Sequence, residues 1–237
     1  MSSDVMVDVV IPVYNEEEAL EGSIATLSAY LGAHCPCRWR IVIADNASTD
    51  RTPEVGRRLA EASARVDYMR LEQKGRGRAL RYAWSHSPAD VLSYMDVDLS
   101  TDLDCFMPLI QPLAEGRYGV AIGSRLAPGA KVTRGLKRDV ISRIYNLIVK
   151  VLFPRKRFSD AQCGFKAVTQ AAARELLPVV KDQAWFFDSE LLLKAEARGY
   201  RIHEVPVKWV DDPGSRVKIA KTAWEDLKGL WRVRWGG

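Results

Sequence analysis

Asp96 and Asp98 stand one residue apart in VLSYMDVDLSTD (91–102), where a run of strand character ends, with Asp102 and Asp104 just behind. Burying an unpaired carboxylate is costly, so such acids belong at an edge where something positive meets them. On an extended segment residues 96 and 98 point to the same side, which lets both carboxylates address one hard cation. Mg2+ and Mn2+ take oxygen ligands, and Mg2+ is typically held by one or two carboxylates together with substrate phosphates. A cation there would neutralise the charge developing on a diphosphate leaving group. Further along, Arg125, Lys131, Arg134 and Arg138 offer contacts for a second anion. Alone, a D-x-D is short and common by chance, so its neighbours must decide.

The elements that would position these groups alternate. DVVIPVY (8–14) is a β-branched run typical of a strand buried on both faces. NEEEALEGSIATLSAYL (15–31) then has helix-start chemistry, with Asn15 as cap, three Glu in the first turn and apolar residues at helical spacing. WRIVIAD (39–45) reads as a second strand and VDYMRLE (66–72) as a third. KGRGRALRYAWSHS is a glycine turn into a helix, DVLSYMD a fourth strand and YGVAIGSR (118–125) a fifth. Strand–helix alternation at this spacing predicts right-handed β-α-β units and a mainly parallel sheet covered by helices. Residues 126–166 are basic and irregular around one helix, RDVISRIYNLIVKVLF. A helix (WFFDSELLLKAEARGY), a strand (RIHEVPVKWV) and a final amphipathic helix (KTAWEDLKGLWRVRW) follow. No repeat or linker divides the 237 residues, so a single domain 1–237 is expected, with a regular half over about 1–125, a second half over about 126–218 and a terminal helix over 219–237.

In an open parallel sheet, ligands sit outside the carboxyl ends of the strands. That edge should hold Tyr14, Asn15 and Glu16 after the first strand, Asp45 and Asn46 after the second, Lys74 to Arg78 after the third, and Asp96 and Asp98 after the fourth. Each has a plain alternative: Asn15 and Glu16 as helix-start residues, Asp45 to Asp50 as an Asx turn and cap, KGRGR as a glycine turn. Four strand ends converging on one crevice are much harder to dismiss. The formal net charge of +5 favours anionic partners without carrying any nucleic-acid motif. YNEEE after the first strand, with no glycine fingerprint, excludes a dinucleotide oxidoreductase. The four cysteines include a lone C-x-C, Cys35 and Cys37, read as an exposed turn; there is no zinc-ligand pattern, and a reduced cytosolic setting is the default. The amino-terminal stretch lacks the pattern of a secretory signal, and no run approaches membrane-spanning length. His34, His86 and His203 have no ligand spacing and receive no role.

The segments VVIPVYNEEEAL, IVIADNASTDRT, KGRGRAL, MDVDLST, IGSR, SDAQCGFKA, WFFDSELLLKAEARGY and IHEVPVKWVDDPGSRV occur in an order that resembles family 2 glycosyltransferases. The likeness extends over about residues 5–218 and is strongest to the dolichyl- or polyprenyl-phosphate sugar synthases; DAQCGFK and GSRV look more like the glucosyltransferase branch than the mannose branch. The resemblance implies the GT-A (Rossmann-like) nucleotide-sugar transferase fold, an α/β architecture with a mainly parallel sheet. It also implies inverting transfer from a nucleotide-sugar, UDP-glucose ahead of GDP-mannose, to a polyprenyl phosphate, with Mg2+ or Mn2+. Pro12, Tyr14, Glu16, Asp45 and Lys74 would line the donor pocket, and Asp96 and Asp98 would bind the metal and diphosphate. Asp98, Arg125 and Arg138 would serve catalysis, the last two by contacting phosphates; Arg138, Ser142 and Asn146 match the family's R-x3-S-x3-N helix. Asp160 and Gly164 would border the sugar pocket with Asp188 and Glu190 nearby, and Arg216 and Lys218 would close over the phosphates. Asn46 in place of a second Asp, Ser100 in place of a Gln, and the acids of VDDPGSR depart from the mannose pattern.

A phosphate acceptor is already ionised near neutral pH, so no carboxylate need deprotonate it. A lipid acceptor implies a membrane surface and a place at the cytoplasmic face. The terminal helix sets Trp224, Leu227, Trp231 and Trp235 near one face, with Lys221, Lys228, Arg232 and Arg234 around them, as an interfacial helix would. Packing of that helix on its own domain is the equal alternative. The competing functions are a same-fold transferase acting on a hydroxyl, which needs a base, and an inactive nucleotide-sugar or lipid-phosphate binding module.

Overall fold

The central strands of the amino-terminal half alternate their side chains between two apolar environments. In the computed structural model, which describes residues 4–211 and 219–236, β1 (Met6–Val13) sends Val9 and Ile11 to one side and Val10 to the other. β2 (Arg38–Asn46) does the same with Ile41 and Ile43 against Val42 and Ala44. A strand apolar on both faces must be covered on both faces. One side is closed by α1 (Leu20–His34) and α4 (Phe106–Ala114), with Leu27, Leu31, Phe106 and Leu109 in its core. On the other, α3 (Arg76–Ser85), α6 (Gln170–Leu176) and α7 (Phe187–Ala197) bring Leu80, Trp84, Leu176, Phe187 and Leu192.

The seven-stranded sheet has the order β3-β2-β1-β4-β7-β5-β8, with β3 at Val66–Leu71, β4 at Val91–Met95, β5 at Val120–Ser124, β7 at Phe165–Thr169 and β8 at Ile202–Pro206. All neighbours are parallel except β7, which runs against both β4 and β5. The expected mainly parallel α/β sheet is therefore present, with one reversed strand. That reversal has a purpose in space. Phe165 pairs with Met95, so the segment leading into β7, residues 160–164, arrives at the same edge as the end of β4. α2 (Thr52–Ala62) lies between β2 and β3; α5 (Leu136–Leu152) and α8 (Ile219–Trp235) pack together in the second half. A two-stranded ribbon joins β6 (Lys131–Thr133) to β9 (Lys208–Val210), splitting the long strand expected over 201–210.

The first helix starts later than its acidic run implied. Asn15 has φ 56 and its side chain accepts from the Thr49 N–H at 2.8 Å, so it ties two loops together instead of capping α1. Ala47 (φ 60) and Leu99 (φ 49) are left-handed as well. Non-glycine residues rarely hold this conformation, and such strain gathers at functional sites. All three follow the carboxyl ends of strands, β1, β2 and β4.

Candidate active site

The crevice is built around a buried bridge. The Arg76 guanidinium donates from Nη2 to Asp96 Oδ1 at 2.6 Å and from Nη1 to Asp188 Oδ2 at 2.7 Å. It also lies over the rings of Tyr94 and Trp185, 4.9 and 5.2 Å from their centroids. Asp188 in turn meets Lys166 Nζ at 3.2 Å and accepts the Tyr94 hydroxyl proton. Two acids and two bases thus share one buried cluster, which keeps its sum neutral. Burial works against the charge of Arg76 and of Asp188, yet Asp96 and Asp188 hold Arg76 well above its ordinary pKa, and Lys166 and Arg76 hold Asp188 below its own.

Arg76 sits between two glycines because the turn has no space for side chains there. A Cβ at Gly77 would meet Phe187 of α7, and the Gly75 N–H donates to the Asn46 side chain at the end of β2. The positive partner that the aspartates demanded is therefore inside KGRGR, a segment that suggested only an anion-binding helix start. Flanking glycines around one arginine were the available signal.

Asp96 and Asp98 lie on a turn, not an extended segment: the Leu99 N–H returns to the Asp96 carbonyl at 3.1 Å. Both nevertheless face outward, since Val97 between them is buried. With Ser100, Thr101, Gly164 and Trp209 they line one small cleft. Asp98 Oδ1 accepts the Ser100 N–H at 2.9 Å. Arg76 occupies Asp96 Oδ1, and Gly164 leaves room for Oδ2, where any Cβ would collide with the carboxylate. Among the described residues no group of three or more His, Cys, Asp or Glu side chains is arranged to hold a metal. Two carboxylates with an incomplete ligand set fit Mg2+ or Mn2+, whose remaining positions a diphosphate and water would fill.

Around the cleft, the expected donor residues gather at the carboxyl ends of β1 to β3. Pro12 lies in β1 opposite Ala44, and Lys74 Nζ stands 3.3 Å over the ring of Tyr14. The Glu16 N–H donates to Thr52 Oγ1 at 2.8 Å. Asp45, expected to line the donor pocket, has no exposed surface; its oxygens accept from the Ser48 N–H at 2.8 Å and the Tyr68 hydroxyl at 2.6 Å, so it braces the turn after β2.

Three expected residues are engaged within the fold. Asp160, expected to border the sugar pocket, is fully buried and grips Arg125 through Nε at 2.7 Å and Nη2 at 3.0 Å. Burial opposes its charge, but Arg125 outweighs this and brings its pKa down to about 2. Arg125, expected to contact a phosphate, has its charge balanced by Asp160 and is stacked 5.1 Å from the Trp209 ring centroid. Glu190 has another post, holding the Lys181 and Asp182 N–H groups and Arg232 of α8. Asp188 is interior, as described. Arg138 of α5 pairs with Asp211 at 2.8 Å. Arg216 and Lys218 lie outside the described residues. Arg134, just before α5, has Nε and Nη1 buried without a hydrogen-bond partner, and burial together with nearby Arg125 lowers its pKa.

The model for glycosyl transferase family 2 matches residues 8–177. The chain belongs to that family. Glycosyltransferase AglD of Haloferax volcanii is 36% identical over 234 residues, an alignment covering 97% of this chain and 36% of AglD. The dolichyl-phosphate beta-glucosyltransferase of Saccharomyces cerevisiae is 26% identical, over 98% of this chain and 75% of that protein. The chain thus spans about a third of AglD and three quarters of the yeast protein. Glucosyl-3-phosphoglycerate synthase from Mycobacterium tuberculosis superimposes with a TM-score of 0.72 at 17% identity, covering 97% of this chain and 80% of that one. This likeness establishes the GT-A fold. Structures of that synthase hold Mn2+ with uridine-diphosphate, or Mg2+ with uridine-diphosphate.

Gly164→Ala tests the Asp96–Asp98 cleft directly. Its Cβ displaces the Asp96 carboxylate, and a misplacement of about 1 Å lowers kcat/KM on the order of a hundredfold. Displacing Asp96 also disturbs its bridge to Arg76, so Tm should fall too, and kcat/KM is measured well below the lowered Tm. Retained kcat/KM would show that Asp96 need not occupy this position.

Proposed function

We propose that this chain transfers a hexose from a nucleotide-sugar to a polyprenyl (dolichyl-type) phosphate with inversion, giving a β-linked lipid-phosphate sugar. UDP-glucose is the first candidate donor and GDP-mannose the second. The observation that carries the reading is the company Arg134 and Arg138 keep. α5, which begins two residues after Arg134 and bears Arg138, exposes Leu136, Val140, Ile144, Leu147 and Val151 at steps of four, four, three and four. An unsatisfied arginine beside an apolar helical row suits an acceptor that has a phosphate head and an isoprenoid tail. The names of the yeast and other related dolichyl-phosphate beta-glucosyltransferases support the same acceptor and sugar.

In this mechanism the donor lies along the β1–β3 edge, with its diphosphate at Asp96 and Asp98. Mg2+ or Mn2+, when bound there, supplies positive charge against the departing diphosphate. Arg76 keeps Asp96 turned toward the cleft. Arg134 and Arg138 hold the acceptor phosphate, already ionised, in line with the anomeric carbon, so positioning and charge supply the catalysis. A hydroxyl acceptor would need a base, and the acids here are poorly suited. Asp160 and Asp188 are depressed by their ion pairs, while Asp226, raised to about 7 chiefly by burial, is interior and bonded to Gln162.

The same surface supports a peripheral place at the cytoplasmic face of a membrane. Among the described residues no helix is long and apolar enough to cross one. α8 packs inward through Leu230 and Asp226 and outward presents Trp224, Leu227, Trp231 and Trp235, with Lys228 and Arg234 against the indoles. The inward packing agrees with the domain-packing reading of this helix, and the exposed row supports the interfacial one. Tryptophan flanked by basic residues is the pattern of an interfacial helix.

Nucleoside diphosphate release should require UDP-glucose, a polyprenyl phosphate and Mg2+ or Mn2+ together. Release with GDP-mannose instead would exchange the sugar; release independent of lipid would favour a soluble acceptor; none with either donor would favour a binding module. Arg134→Met should raise the KM for the lipid phosphate about tenfold or more, the worth of one charged hydrogen bond, and leave the donor KM unchanged. Trp224, Trp231 and Trp235 changed together to Ser should weaken sedimentation with anionic phospholipid vesicles about tenfold while sparing turnover of a short, soluble acceptor. Unchanged sedimentation would remove α8 from the membrane face.

A further inference from the structure

The C-P-C segment has no part in the crevice. It joins the end of α1 to the start of β2, the amino-terminal edge of the sheet, opposite the strand ends that build the cleft. Its two sulfurs, Cys35 Sγ and Cys37 Sγ, lie 2.7 Å apart as free thiols. The segment is not the simple exposed turn its composition suggested: Cys37 is buried in the same apolar core as Trp39 and Leu31, whereas Cys35 is only partly buried against it. Such an unequal pair suits the more exposed residue, Cys35, to attack and the buried Cys37 to resolve.

We propose that Cys35 and Cys37 form a redox-active dithiol that a low-molecular-weight disulfide closes reversibly to an intrachain disulfide. Cys35 is the entry point. A hydrogen bond from the Cys37 thiol favours the Cys35 thiolate and brings its pKa down to about 7, while Cys37 is pushed up. The thiolate is the nucleophile in exchange, and a pKa near ambient pH balances its population against its intrinsic reactivity.

The exchange runs in two steps. The Cys35 thiolate attacks one sulfur of oxidised glutathione, forms a mixed disulfide and expels one glutathione thiolate, which takes a proton. Cys37 gives up its proton and attacks the Cys35 sulfur, releasing the second glutathione and closing the ring. The chain loses two electrons and two protons, and the small disulfide gains both. Pro36 between the cysteines narrows the backbone freedom that would separate them. The loop enclosed is short, so closing it removes little chain entropy from the unfolded state. Little then resists reopening by excess thiol. The other two cysteines are poor competitors: burial raises both thiols, that of Cys163 to about 12.

The test incubates the full chain with oxidised glutathione, blocks remaining thiols with iodoacetamide and maps the products by mass spectrometry. The expected product lacks two hydrogens, holds a Cys35–Cys37 bond, retains two of the four thiols and reverts with dithiothreitol. Cys37→Ser should accumulate glutathione on Cys35, and Cys35→Ser should stay unmodified at Cys37. Wild-type chain that stops at a stable mixed disulfide, keeps all four thiols, or reacts first at Cys105 or Cys163 overturns the proposal. The wild-type product decides the question even where a variant folds poorly, and it is independent of any transferase assay.

Discussion

The charge on Arg76 is the constraint on which the crevice depends. Asp96 must present an oxygen to the cleft, yet it leaves a core strand two layers deep in apolar packing. An ion held there by one partner would be expensive, and a buried pair stripped of one member typically costs about 3–5 kcal/mol. The chain meets this by sharing. Arg76 divides its fork between Asp96 and Asp188, and Lys166 and Tyr94 complete Asp188 from the neighbouring strands. Only Asp96 reaches the surface, so the cluster has one exposed terminus and it points at the cleft. Asp188 therefore belongs to the machinery by holding Arg76, without needing to touch a sugar.

The reversed strand makes the second half of the site possible. Had β7 run parallel to β4, its end would point at the crevice and its start would open on the far side. Running antiparallel, it delivers Asp160 to Gly164 beside Asp96, and Asp160 in turn fixes Arg125 at the end of β5. Gly164 is then dictated by proximity: a residue entering β7 next to an ion-paired carboxylate has no volume for a side chain. Sheet direction, a glycine and a carboxylate rotamer are one constraint seen at three levels.

That interlocking explains what was legible in the residues alone. Strand–helix alternation, the convergence of strand ends and the Asp96–Asp98 pair follow from local pattern, because the central strands are apolar on both faces and the turns after them are polar. The direction of β7 is not encoded locally, since a short apolar strand carries no sign of its orientation. The partner choice of Asp160, Asp188 and Glu190 depends on which helix lands beside which strand, so acids that looked available for a substrate proved to be engaged with Arg125, Arg76 and Arg232. Helix α1 misled for a simpler reason: Asn15 has cap chemistry, but hydrogen bonds to the 48–49 loop take its backbone and side chain first.

In the proposed reaction α5 links the chemistry to the lipid. One face of this helix is inside, with Tyr145 bonded to Ser189 of α7 and Asn146 accepting the Ala161 N–H at 2.9 Å, one residue from Asp160. Its outer face is apolar and exposed, and its first turn carries Arg138. A rigid helix bonded to the segment that enters the cleft, and apolar toward the outside, keeps a bound phosphate at a fixed height relative to whatever covers its outer row. If a bilayer covers it, the acceptor's head and tail are separated by the helix itself, and the phosphate need not be lifted far from the interface to meet the donor. The position of Asn146 matters more in that arrangement than its polarity suggests: it couples the outer helix to the Asp160–Arg125 pair, and through it to the end of β5.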